Sequence, residues 1–144
     1  MNPNIEKAKE RFGLLLEEQL KRVEAMNAGK EPYDFSKLDK IVIGVAGGDG
    51  IGPAITAQGK RVMEHLLDKD IKSGRIVFKD IENLTIEKRA AAGKAIPDDV
   101  LAELKECHVI LKGPTTTPRK GDPWPIIESA NVMMRKELDL FANV

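Results

Sequence analysis

Three residues near the end of the chain could together hold an anion. Ser129, Asn131 and Arg135 lie within seven positions and offer a hydroxyl, an amide and a guanidinium. Asn131 and Arg135 are four apart, so on a helix they share a face. An arginine can grip a carboxylate through two parallel hydrogen bonds, and neutral donors beside it add sites without repulsion. The set therefore suits a small molecule with several carboxylates. Two helix starts are compatible with the pattern, one at Pro125 and one a few residues later with Ser129 as N-cap. In the second, Ser129 and the free amides of the first turn face the anion. The competing reading is a routine cap and a solvated arginine.

A second donor-rich stretch precedes it, "KGPTTTPRKGDPWPIIES". Lys112, Thr115, Thr116, Thr117, Arg119 and Lys120 fall in one loop. Pro114, Pro118, Pro123 and Pro125 stiffen that loop, which lowers the entropy lost when a ligand is fixed there. Trp124 is expected to pack under it rather than stack on a ligand. A third candidate is "GGDGIG", from Gly47 to Gly52. Its glycines could let the backbone approach a ligand, or could only turn the chain. It fails the dinucleotide fingerprint G-x-G-x-x-G, because Pro53 stands where the third glycine belongs. Asp49 in this loop is expected to act as a cap or hydrogen-bond acceptor. Cys107, His65 and His108 show no metal-ligand or nucleophile spacing.

These loops need a scaffold, and the pattern around them predicts one. Apolar runs at 41–46, 75–80 and 108–112 read as strands, the first buried on both faces. Helices are expected from Pro53 to about Leu67, over "TIEKRAAAGKA", and over "PDDVLAELKEC". Strands alternating with helices argue for an α/β fold with a mainly parallel sheet, which sets the glycine and threonine loops on one edge. Residues 5–28 read as an amphipathic helix, with Ile5, Ala8, Phe12, Leu15, Leu16, Leu20 and Val23 at helical steps and Gly29 as its stop. Residues 1–39 are expected to form a helical extension and linker, and 40–144 the α/β body. The apolar run after Arg135 reads as the start of another strand.

Composition narrows the classes of function. The 144 residues carry 23 basic and 23 acidic side chains and 42% hydrophobic residues. No global basic field exists to attract nucleic acid or an anionic membrane. One cysteine among them forbids an internal disulfide and suits a reducing compartment. No apolar run approaches the roughly 20 residues that span a bilayer. A cytoplasmic α/β domain is expected, with no nucleic-acid or membrane partner.

Taken in order, "GGDGIGP", "ILKGPTTTP" and "SANVMMRKELDLFANV" resemble the N-terminal part of the isocitrate/isopropylmalate dehydrogenase family, over about Lys40 to Val144. The resemblance implies an isopropylmalate dehydrogenase-like fold, incomplete in this chain. It also implies oxidative decarboxylation of a 2-hydroxy acid, with NAD or NADP taking hydride and Mg²⁺ or Mn²⁺ polarising the carbonyl. It assigns Lys112, Thr116, Ser129, Asn131 and Arg135 to substrate, and Ile51, Thr116 and Thr117 to the cofactor. Ser129 and Asn131 favour isocitrate, a tricarboxylate, over 3-isopropylmalate, whose enzymes place a glutamate and leucines at Ser129, Val132 and Met133. The family's catalytic tyrosine and lysine and its metal-binding aspartates follow later in its sequence. The resemblance therefore implies a chain with no catalytic or metal residues of its own, inactive alone, and homodimeric when complete. A non-catalytic regulatory or binding subunit, and a helix-mediated interaction module built on residues 5–28, are the readings from other classes.

Overall fold

The computed structural model describes residues 2–28 and 34–140. Contacts divide the chain into two units, Met1–Lys37 and Leu38–Val144. The first is dominated by one helix, α1, over Pro3–Asn27. Asn2 caps it, its side-chain oxygen accepting from the Asn4 amide at 3.0 Å, and Pro3 occupies the first turn, where a missing N–H costs nothing. At the far end the Ala28 amide donates to the Glu24 carbonyl, and the expected Gly29 stop lies outside the described residues. Ile5, Phe12, Leu15, Leu16, Leu20 and Val23 all remain about half exposed or more. A short 3₁₀ turn, Phe35–Lys37, follows, braced by Asp34, whose carboxylate accepts from both the amide and the hydroxyl of Ser36.

The second unit is a three-stranded sheet with helices in the connections. Its elements run β1 (Ile41–Ala46), α2 (Gly52–Leu66), α3 (Asp68–Lys72), β2 (Ile76–Asp80), α4 (Ile86–Ala92), α5 (Asp98–Lys105), β3 (Val109–Lys112) and α6 (Ala130–Glu137). The strand order is β2-β1-β3 and both pairings are parallel. Ile41 stands opposite Ile76, and Ile43 opposite Val109. The last four residues of β1 are all buried, as a central parallel strand covered on both faces requires. The α/β architecture and all three strands agree with the sequence reading. The short α3 was not foreseen; it continues directly from the end of α2.

One apolar cluster ties the helices to the sheet. Ala46 of β1, Ile81 and Leu84 after β2, Val100 and Leu104 of α5, and Ala130 and Met134 of α6 share it. The periodicity of α5 and α6 follows from this: each offers two residues four apart to the cluster and turns its charges outward. Of the two starts open for the last helix, the structure takes the later one, with Ser129 at the N-cap position. Leu138, expected to open a strand, instead closes α6, its amide donating to the Met134 carbonyl. Asp139 then turns left-handed at φ 46°. The rest of the expected strand, 141–144, lies outside the described residues.

A side chain extends the β1–β3 ladder. The His108 amide donates to the Val42 carbonyl at 2.9 Å, and the Val42 amide donates back to His108 Nδ1 at 3.1 Å. His108 thus satisfies a main-chain donor one residue before β3 begins.

The loops after β1 and β3 meet at the carboxyl edge of the sheet. The Gly113 amide donates to the Ala46 carbonyl at 2.8 Å, and the Asp49 amide to the Pro114 carbonyl at 2.7 Å. Gly48 sits between them at φ +72°, and a Cβ there would overlap the Pro114 carbonyl oxygen. Gly50 is also left-handed, at φ +58°, but a Cβ there would meet nothing within 4 Å. Gly48→Ala should therefore destabilise by more than about 3 kcal/mol, strain and overlap adding, and Gly50→Ala by about 1–2 kcal/mol. Urea unfolding of both variants tests the ordering.

Candidate functional site

The sheet's carboxyl edge gathers three connections, those after β1, β2 and β3, and Asp49 joins them. One carboxylate oxygen accepts from the Ile86 amide at the start of α4, at 2.7 Å. The other accepts from the Thr116 amide at 2.6 Å. The role of acceptor expected for this residue is the one it has. The glycine loop thus serves at least as a close backbone junction: its approach is to the threonine loop rather than to open space.

The second joint is Arg89, which sequence reasoning missed. It lies in the last turn of α4 with 0% of its surface exposed. Nε donates to the Ala95 carbonyl at 2.7 Å, one terminal nitrogen to the Thr116 carbonyl at 2.8 Å and the other to the Glu128 carbonyl at 3.1 Å. Burial pulls the pKa of the guanidinium down, while the negative charge of Asp49 opposes that shift. A planar fork suits three fixed carbonyls in a way an ammonium does not. Its signal in the sequence was faint. Arg89 stands three residues after the buried Ile86 and beside a run of alanines, on the inward side of a short helix.

These joints place the sequence-predicted residues. Thr116 is exposed, but the peptide groups on either side of it are held, one by Asp49 and one by Arg89. Thr117 is exposed beside it. The carbonyl of Glu128 shares the Arg89 guanidinium with that of Thr116, which brings the peptide leading into Ser129 up to the threonine loop. Ser129 takes the extended N-cap conformation, yet its hydroxyl makes no capping bond. Asn131, Val132 and Arg135 lie on the exposed side of α6, and Ala130 and Met134 on the buried one. Ile51 is 67% exposed at the start of α2.

Lys112 is turned inward. Its ammonium donates to the Gly113 carbonyl at 2.7 Å and to the Thr115 hydroxyl at 3.1 Å, so in this state it orders the loop. Burial lowers its pKa, the positive charge of Arg89 lowers it further, and Asp49 works against both. Arg119 and Lys120 are exposed, and the Arg119 amide donates to the Asp122 carboxylate. Trp124 is half-buried. Beneath the glycine loop a cleft of about 270 Å³ is lined by Val45, Gly47, Pro53, Thr56, Ala57, Lys60, Asp80 and Ile81, with the Lys60–Asp80 ion pair at 2.9 Å. Among the described residues no group of three His, Cys, Asp or Glu could hold a metal ion, and no helix is long and apolar enough to cross a membrane.

What the arrangement offers is a rigid edge bearing exposed hydroxyls, a helix start and a guanidinium, all donors. Its rigidity depends on Asp49. Asp49→Ala deprives two backbone amides of a charged acceptor and should lower the unfolding free energy by about 2–4 kcal/mol. Asp49→Asn should recover at most half of that, because its amide nitrogen would face a donor. Denaturant unfolding of the two variants checks the order.

Comparison with known proteins accords with this geometry. The family model described as isocitrate/isopropylmalate dehydrogenase matches residues 42–144. An isocitrate dehydrogenase [NADP] of Caldococcus noboribetus is 36% identical over 107 residues, covering 74% of this chain and 24% of its own length. An isocitrate dehydrogenase [NADP] of Archaeoglobus fulgidus is 35% identical over 125 residues, covering 82% of this chain and 28% of its own. A 3-isopropylmalate dehydrogenase 1 of Bradyrhizobium diazoefficiens is 30% identical over 106 residues, covering 72% and 27%. The chain thus spans about a quarter of the length of these relatives. With its parallel sheet, its paired glycine and threonine loops and a family match over most of its length, the chain belongs to the isocitrate/isopropylmalate dehydrogenase family.

Proposed function

We propose that this chain supplies the carboxylate-binding part of an enzyme that oxidises and decarboxylates isocitrate. The observation that carries the reading is the uncommitted Ser129 hydroxyl at the start of α6, two residues before Asn131 and six before Arg135, both on the helix's exposed face. Arg135 offers a bidentate grip for one carboxylate, and Ser129 and Asn131 offer neutral donors for another. Free amides in the first turn of α6 and the positive end of its dipole favour the same charge. Thr116, pinned from both sides, would orient the carbon that loses hydride.

A bound nicotinamide dinucleotide would accept that hydride. The exposed Ile51, Thr116 and Thr117 at the sheet edge suit contact with it, though they do not form a complete nucleotide site. A divalent metal has no ligand set among the described residues. The chain's own contribution is binding and orientation. The isopropylmalate-oxidising relative keeps 3-isopropylmalate as the alternative substrate.

The test is a chimera in which residues 40–144 replace the matching segment of the Archaeoglobus fulgidus enzyme. It should prefer isocitrate to 3-isopropylmalate in kcat/KM. Ser129→Glu sets a negative charge against a carboxylate, at a cost of several kcal/mol, and should lower kcat/KM for isocitrate more than about 100-fold. Ser129→Ala removes one neutral hydrogen bond and should cost about fivefold. A chimera that prefers 3-isopropylmalate, or one indifferent to Ser129→Glu, would sink the assignment.

A further inference from the structure

Arg89 touches no exposed surface, yet it bonds to both segments that carry the proposed ligand groups. We infer that Arg89 is a positioning residue, which sets the distance between the threonine loop and the start of α6 and so the spacing between Thr116 and Ser129. The inference rests on the functional reading above for its ligand, but on geometry alone for the spacing.

Three observations lead to it. First, the two terminal nitrogens of one guanidinium donate to the carbonyls of Thr116 and Glu128, residues 12 apart near the two ends of the connection from β3 to α6. Because the guanidinium is planar and rigid, the two carbonyls cannot move independently while both bonds hold. Second, the guanidinium is itself fixed, since Nε is tied to Ala95, six residues on from Arg89. The clamp therefore has a base as well as two jaws. Third, the neighbouring peptide of Thr116 is held by Asp49, so the threonine cannot follow α6 by sliding along the loop. A residue with a structural role only would need burial and satisfied bonds; none of that requires its partners to be the two backbone segments that present Thr116 and Ser129.

Lysine keeps the charge but not the fork. It can reach one of these carbonyls at a time, so Arg89→Lys should uncouple the segments without removing the cation. Hydrogen exchange on the full 144-residue chain reads the spacing directly. Two amides report, and neither is bonded to Arg89: Thr116, which donates to Asp49, and Met133, which donates to the Ser129 carbonyl. In Arg89→Lys both should exchange about tenfold or more faster, as expected for the loss of a charge-assisted hydrogen bond. The Val45 amide in β1 should change by less than about twofold, since it lies on the sheet and not on the clamp.

Val100→Ala is the control. It weakens the same core without touching the clamp, and should speed exchange broadly rather than at Thr116 and Met133 alone. If Arg89→Lys instead raises exchange uniformly, as Val100→Ala does, or leaves Thr116 and Met133 unchanged, Arg89 is structural only and the inference fails. Titration with isocitrate adds a second arm. Arg89→Lys should weaken binding about tenfold, and Val100→Ala by less than about twofold. Absence of isocitrate binding by the unaltered chain would count against the functional reading alone; the exchange pattern would still decide the positioning role.

Discussion

A buried guanidinium needs a hydrogen-bond partner at each nitrogen and a counter-charge near it, or it costs more than it stabilises. Arg89 meets both conditions only if three backbone segments and Asp49 arrive together. The edge of the sheet is shaped by that requirement. Strands β1, β2 and β3 run parallel, so their following loops emerge on one side, and the short span from β1 brings Asp49 to the meeting point. Gly48 leaves room for the Pro114 carbonyl, and Asp49 takes up amides from the other two connections. The polar joints here are few, but each one binds two elements.

The same joints set the electrical character of the edge. Two cations, Arg89 and Lys112, lie close enough to Asp49 to feel its charge, and Arg89 depresses the pKa of Lys112. Burial acts on both in the same direction. These three groups lie behind a loop on which Thr116 and Thr117 are exposed.

Much of this was legible in the sequence, and the parts that were not share a cause. The strands were readable because apolar runs of β-branched residues at βαβ spacing have few other solutions. The common edge of the loops followed from parallel order alone. The start of α6 was readable only as two options, since Pro125 and Ser129 both satisfy helix-start chemistry; burial of Ala130 and Met134 chose between them. Leu138 was misread as strand because its apolar character serves a helix end as well, and the neighbouring core could not be seen. Arg89 was hard to read for a deeper reason. A charged residue in a short, alanine-rich helix looks solvated until its three acceptors are known, and those acceptors are main-chain carbonyls, which every residue has. His108 is a similar case: its ladder bond depends on where Val42 lies, not on any motif.

The long reach of these bonds also orders events in folding. The partners of the clamp are far apart along the chain: 27 residues for Arg89 and Thr116, 39 for Arg89 and Glu128, 67 for Asp49 and Thr116. Loops of that length carry a closure entropy that one hydrogen bond cannot repay. Pairing of β1 with β3 shortens the longest of them to a few residues, because Ala46 then stands beside Lys112. The sheet must therefore be zipped before the edge can set, which makes the glycine and threonine loops late to order and early to melt.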